Sequence, residues 1–438
     1  MDTPICDFVR DYAEKGNIRL HMPGHKGKAL LGLEALDITE IDGADSLYEA
    51  YGIIRQSEEN ASRLFGCPTS YSTEGSSQCI RAMLYLALVW AKERGKPPVI
   101  AAGRNAHKTF LTGAALLDLD VRWLYPQNGG SYLSCNLTPE AVEAALEKEK
   151  PTAVYLTSPD YLGNVADIAG IAEVCHRHGA LLLVDNAHGA YLKFLGPSQH
   201  PIDLGADLCC DSAHKTLPVL TGGAYLHCTP EFQDWAKNAL AIFGSTSPSY
   251  LILQSLDGAN PSLAQLANKL KEFVPRVNAA KKKLTEHGYV LYGQEPLKIT
   301  VSAKPYGYTG QELARSLRKQ NIVSEFADPD FLVLMLTPEN RQSELDALET
   351  ALLTIPRKTP ISEKPPVFSP CQRVCSPREA MLSPMQTIPV EESEGRILAA
   401  ATVGCPPAVP IVVSGERIDA HAIRCFQYYG IPHCSVMR

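Results

Sequence analysis

ALLLVDNAHG at residues 180–189 and DLCCDSAHKTLP at 207–218 decide the fold. Each is a short run of apolar residues, too hydrophobic for a sheet edge, that breaks into an acid and then small or polar residues. Working outward, VIAAG (99–103), VRWLY (121–125), AVYLTS (153–158) and GAYLHC (223–228) repeat that texture, each separated from the next run by a segment long enough for a crossover. Thr138 and Pro139 make a cap and first-turn pair for a helix through Glu147, and Ile168–His178 suits a second crossover. The alternation predicts an α/β architecture built on a large, mostly parallel sheet. In such sheets ligands lie beyond the carboxyl ends of the strands, so the residues just after each run are where chemistry is sought.

Beyond this region the texture changes. A helical pattern from about Ser262 to His287 ends at Gly288. LKITVSA, a helix near Gln311–Lys319, FLVLMLTP and a helix near Glu344–Leu353 then describe a smaller α+β domain. Prolines crowd residues 355–393, which predicts an irregular surface connection, and the tail offers helix candidates at Glu394–Ala401 and Asp419–Tyr429. The expected division is an N-terminal arm (1–55), a large domain (56–260), a small α+β domain (261–355) and a proline-rich connection with a C-terminal subdomain (356–438).

The 438 residues carry 41 Lys+Arg against 48 Asp+Glu, a formal charge of −7, which gives no electrostatic footprint for nucleic acid. The best apolar stretch, Met83–Ala91, is far short of the roughly 18 residues of a membrane span. The N-terminus is charged from its second residue, unlike a signal peptide. The thirteen cysteines are scattered rather than spaced as a disulfide framework, so the expected location is cytoplasmic.

Four positions carry chemistry. Lys215 follows a buried strand, and is either a surface lysine or a Schiff-base amine held near a carbonyl cofactor. Asp185 ends an interior strand, and either caps the next turn or meets a cation such as the protonated pyridine nitrogen of pyridoxal phosphate. Ile80, Met83, Leu84, Ala87, Leu88 and Ala91 form a helical stripe, so a helix begins near Ser76. Gly75, Ser76 and Ser77 at its N-terminus then serve as a cap or as a phosphate cradle. His107 opens another helix, where its ring either stacks on a cofactor or has no ligand.

Taken together these segments resemble the Orn/Lys/Arg decarboxylase family, short form, whose members are pyridoxal-phosphate enzymes of fold type I, like aspartate aminotransferase. The resemblance is carried by HMPGHKG (21–27), the Gly75–Ser77 turn, RNAHK (104–108), SPDYLGN (158–164), VDNAHGA (184–190), SAHKTLP (212–218) and TSPSYLILQSLD (246–257). It implies Lys215 as the Schiff-base lysine, Asp185 on the pyridine nitrogen and His107 stacked on the ring. It also implies Ser76, Ser77, Ser212 and His214 around the phosphate, Ala187 against the opposite ring face, and His188 near the substrate. The implied enzyme is a cytoplasmic homodimer or higher homo-oligomer that decarboxylates ornithine, lysine or arginine and serves polyamine biosynthesis. Another fold-type-I activity, an aminotransferase or a carbon–sulfur lyase, and a non-catalytic homologue are the rival readings.

Three departures from the family pattern stand out. Glu74 replaces the usual Asn before the glycine, and a carboxylate beside an anion site needs a cation or a turned-away side chain. Cys405-Pro406-Pro407-Ala408 and Ser414-Gly415-Glu416 match the family's tail motifs only loosely. A basic substrate needs an acid for its distal cation, and Asp45, Glu49 and Glu416 are the candidates. No metal site is expected: His21 and His25 are separated by Pro23 and Gly24, and the Cys/His residues of the tail match no familiar ligand spacing.

Overall fold

The computed structural model describes residues 1–126, 131–400 and 408–438. It divides into two compact units, each visited twice by the chain: Met1–Lys96 with Leu181–Lys269, and Pro97–Ala180 with Leu270–Arg438. The strands of the large sheet are β1 (Thr69–Ser72), β2 (Val99–Gly103), β3 (Asp120–Leu124), β4 (Ala153–Thr157), β5 (Leu181–Asp185), β6 (Leu208–Asp211) and β7 (Ala224–Cys228).

Within the first unit the order is β1-β7-β6-β5. β5 and β6 are parallel, with Val184 opposite Cys209 and Asp185 opposite Cys210, while β7 runs antiparallel to both β6 and β1. All five residues of β5 are buried, which is why its sequence reads as a continuous apolar run. The helix Gly75–Glu93 covers β6 and β7 with the stripe expected from the sequence, burying Ile80, Met83, Leu84, Ala87 and Ala91. The N-terminal helix Pro4–Glu14 packs on the helices Ile53–Phe65 and Tyr250–Leu263. Asp257 fixes it there by accepting the Ile5 and Cys6 backbone N–H groups at 3.0 and 2.9 Å.

The second unit holds the parallel set β4-β2-β3. Its crossover helices are Lys108–Leu117, Pro139–Glu149 and Ile168–Arg177. Thr138 Oγ1 caps the second of these by accepting the Ala141 N–H, as its sequence predicts. Next comes a four-stranded antiparallel sheet of β8 (Val290–Tyr292), β9 (Lys298–Ser302), β10 (Phe326–Ala327) and β11 (Phe331–Met335), ordered β10-β11-β9-β8, with the helices Gly310–Arg318 and Gln342–Leu353. Residues 356–371 carry no helix or strand. The expected fold class, a large mostly parallel sheet followed by a smaller α+β part, is the one found.

Three expectations are corrected. The proline-rich connection read as irregular over 355–393 is so only to residue 371, after which come the strand Gln372–Arg373, the helix Pro377–Met381 and the strand Met385–Pro389. The helix read from about Ser262 begins at Leu266 and runs to Glu286, and a separate helix, Tyr250–Leu263, capped by Ser249, precedes it. The tail segment expected to be helical from Glu394 instead enters a strand, Leu398–Ala400, paired with His433–Met437 in a three-stranded antiparallel sheet. Its far end, Ala401, lies outside the described residues. Leu398 and Val436 face each other across that pair and are fully buried with Ile418 and Phe426, and this shared core overrides the local helical pattern. The helix expected near Asp419–Tyr429 is present at Ala420–Tyr428. Among the described residues, no helix is long and apolar enough to cross a membrane.

Candidate active site

The first unit gathers most of the residues singled out by the sequence. Asp185 sits at the end of β5 with 2 % of its surface exposed. Its Oδ1 accepts the Ala187 N–H at 3.2 Å and the Cys210 thiol at 3.6 Å. β6 delivers Ser212 and then a single helical turn, Ala213–Thr216, that carries His214 and Lys215. The half-buried Lys215 Nζ lies 3.1 Å from His188 Nε2.

The opposite bank is the turn before the helix Gly75–Glu93. Gly75 adopts φ +68°, a conformation that favours glycine, and donates its N–H to the Gly222 carbonyl at 2.7 Å. A Cβ on Gly222 would stand 3.0 Å from the Thr73 carbonyl, so the two glycine turns require each other. Ser212 Oγ donates to Ser76 Oγ at 2.8 Å, which joins the end of β6 to this helix N-terminus. His214 Nδ1 lies 3.0 Å from the Gly223 carbonyl. Burial pushes the His214 pKa down, that bond opposes it, and the neighbouring Lys215 cation lowers it further. Glu74 supplies no cap to the helix, and its Oε1 accepts the Ser245 N–H at 2.6 Å instead. The carboxylate that departed from the family pattern is the turned-away kind.

This donor set fits pyridoxal phosphate on its chemistry. Two hydroxyls 2.8 Å apart stand at a helix N-terminus opened by a positive-φ glycine, a suitable seat for a phosphate, and a buried carboxylate and a lysine amine belong to the same unit.

His107 belongs to the second unit, where it caps the helix Lys108–Leu117. Its Nδ1 accepts the Thr109 N–H at 3.2 Å and lies 2.9 Å from Thr109 Oγ1, so the ring is oriented by its own helix. Three residues earlier, Arg104 is 3 % exposed. It donates to the Pro410 and Ile411 carbonyls at 2.8 and 2.9 Å and lies 5.4 Å from the centroids of both Trp123 and Phe368. The Lys108 N–H reaches the Ala408 carbonyl at 2.9 Å, so the tail is tied to the segment that presents His107.

The three acidic candidates for the substrate differ in place. Asp45 is buried, and its two oxygens accept the backbone N–H groups of Ser46, Tyr51, Gly52 and Ile54 at 2.8–3.1 Å. Glu416 is buried too: it accepts the Val413 N–H at 2.9 Å and lies 3.7 Å from Arg104, with burial pushing its carboxyl pKa up and Arg104 opposing. Glu49 is exposed. Asp45→Ala is therefore expected to destabilise the fold by about 2–3 kcal/mol in denaturant unfolding, because four N–H groups lose their acceptor. Of the tail motifs, Cys405, Pro406 and Pro407 lie outside the described residues, while Ala408 has φ +58°.

His21 and His25 are engaged separately, with Tyr12 at 2.6 Å and Asp37 at 3.2 Å. The sequence reading missed a different cluster, His200, Asp211 and His227. These residues share no recognisable spacing: the pairing of β6 with β7 brings His227 beside Asp211, and His200 reaches the same carboxylate from the segment before β6.

Residues 3–303 match the family model for the Orn/Lys/Arg decarboxylase major domain, and residues 369–432 match its C-terminal domain. The chain is 28 % identical to an arginine decarboxylase of Bacillus subtilis, over 96 % of this chain and 92 % of that protein. It is also 28 % identical to an arginine decarboxylase of Halalkalibacterium halodurans, over 95 % and 91 %. The lysine decarboxylase of Francisella novicida shares its fold with TM-score 0.82 at 15 % identity, over 100 % of this chain and 81 % of that one. An alanine–glyoxylate aminotransferase from Nostoc sp. superposes with TM-score 0.56 at 20 % identity, over 68 % and 85 %, which shows the wider fold-type-I architecture. With the major-domain model matched across 3–303 and the C-terminal model across the tail, this chain belongs to the Orn/Lys/Arg decarboxylase family.

Proposed function

We propose that this enzyme uses pyridoxal phosphate to decarboxylate a basic amino acid, with arginine the first candidate, giving the corresponding amine and CO₂. The observation that carries the reading is the joining of Ser212 to Ser76 in the unit that also pairs Lys215 with His188. The cofactor supplies an electron sink for the pair left on Cα when the carboxylate departs. Lys215 would provide the amine that holds the cofactor. Ser76, Ser77, Ser212 and His214 would hold the phosphate. Asp185 would meet the pyridine nitrogen, and Ala187 would pack against the ring. His188, within hydrogen-bond reach of Lys215 Nζ, orients that amine and exchanges a proton with it. Decarboxylation requires the Cα–carboxylate bond to stand across the ring plane, and binding of the substrate's distal cation holds it so. Of the three acidic candidates, Glu49 is carried forward, since the oxygens of Asp45 and Glu416 already serve the backbone and Arg104.

Arginine is favoured over lysine and ornithine by the two relatives named as arginine decarboxylases. A cytoplasmic location is supported by the free thiols, and a homodimer by Ile18, Leu20, Leu30 and Leu31, each at least 85 % exposed in an N-terminal stretch that a second copy would cover. The test is a panel of arginine, lysine and ornithine with the purified enzyme. One amine and one CO₂ per substrate consumed, fastest with arginine, is the expected result. A keto acid product would favour the aminotransferase reading. Glu49→Gln is expected to raise KM for the preferred substrate about tenfold with little change in kcat, measured by initial rates.

A further inference from the structure

Asp211, the last residue of β6, is fully buried in the first unit, and its Oδ2 stands 3.1 Å from both His200 Nε2 and His227 Nε2. Its Oδ1 accepts the Asn186 side-chain amide at 2.7 Å. His227 Nδ1 in turn lies 2.9 Å from Thr69 Oγ1 on β1. Burial pushes the Asp211 carboxyl up, but the two imidazoles more than reverse this and hold it well below the usual carboxylate range. A buried anion so supplied with donors is costly to disturb.

Two of the positions tied together here are chain neighbours of cofactor donors. Asn186 follows Asp185, and its own N–H is anchored to the Cys210 carbonyl at 3.0 Å. Asp211 precedes Ser212. We propose that Asp211 is a positioning residue: through Asn186 and Ser212 it sets the spacing between the carboxylate that meets the pyridine nitrogen and the hydroxyls that meet the phosphate. Pyridoxal phosphate joins a rigid ring to its phosphate by a short arm, so anchors at its two ends act together best when the protein fixes their separation in advance. The inference rests on the cofactor reading above. The competing chemistry is a metal ion, since ligand atoms of His200, Cys209 and Asp211 lie within 4.8 Å of one another. The Asp211 oxygens, however, already accept from Asn186 and face both imidazoles.

The test compares wild type, Asp211→Asn and Asn186→Ala, each with and without pyridoxal phosphate, by thermal unfolding, cofactor titration and elemental analysis. Both variants are expected to bind the cofactor at least tenfold more weakly, and the gap in Tm between loaded and cofactor-free protein should shrink accordingly. Asn186→Ala leaves the His–Asp–His trio in place and decides the matter if Asp211→Asn does not fold. Wild-type cofactor affinity in Asn186→Ala, with equal falls in Tm for loaded and cofactor-free protein, would overturn the proposal in favour of a folding role. One zinc ion per wild-type chain, lost in Asp211→Asn, would overturn it in favour of a metal site. A wild-type protein that takes up no pyridoxal phosphate would instead refute the cofactor reading on which the inference rests.

Discussion

Lys215→Ala is expected to lower kcat by about 10³-fold or more, equivalent to ~4 kcal/mol of transition-state stabilisation. No other lysine lies in the turn after β6, and the neighbouring donor, His188, carries no primary amine able to hold a carbonyl cofactor. The fold should survive, because Lys215 is only half-buried and the turn is fixed by backbone bonds of its neighbours: His214 N–H to Gly223 and Leu217 N–H to Ala213. Borohydride reduction of the wild-type holoenzyme followed by peptide mapping should place the cofactor on the peptide containing Lys215. In the variant the label should be missing and the visible band of the lysine-bound cofactor absent. A band that persists in Lys215→Ala without added amine would show that another residue holds the cofactor.

Asp185→Asn should cost about 10²–10³-fold in kcat, or roughly 3–4 kcal/mol, the range for removing a charged group aimed at the reacting centre. The amide has the same shape, and its oxygen can still accept the Ala187 N–H and the Cys210 thiol, so Tm should move by only a few degrees. What it loses is the charge that favours a protonated pyridine ring. Cofactor binding should therefore weaken less than turnover does. Rates of amine formation at saturating substrate and cofactor decide the case, and an unchanged kcat would place the carboxylate away from the ring.

Where an element's burial was written in its own residues, the sequence was readable. The run ending at Asp185 is buried on both faces, the stripe from Ile80 to Ala91 faces β6 and β7, and the cap at Thr138 stands where its helix begins. β1 was not readable, because TSYS is four residues without an apolar pattern and owes its strand state to pairing with β7. The segment after Glu394 failed for the same reason, its conformation being set by a partner almost forty residues later. The site divides along the same line. Glycine, serine, aspartate and lysine at element junctions announce themselves by position. Asp211, His200 and His227 sit on three separate segments, and only tertiary structure, the antiparallel pairing of β6 with β7 in the case of His227, makes them neighbours.

The anchoring of the tail on Arg104 has a consequence for anyone who would shorten this chain. Deleting residues 408–438 would remove the carbonyls that hold the guanidinium and the acceptor for Lys108, the residue next to His107. A buried cation stripped of its acceptors must either be hydrated or carry its loop outward. The C-terminal piece is thus no detachable appendage, and in amide hydrogen exchange it should open together with the loop bearing His107 rather than ahead of it. Affinity tags belong after Arg438, which is exposed, and not in place of the residues before it.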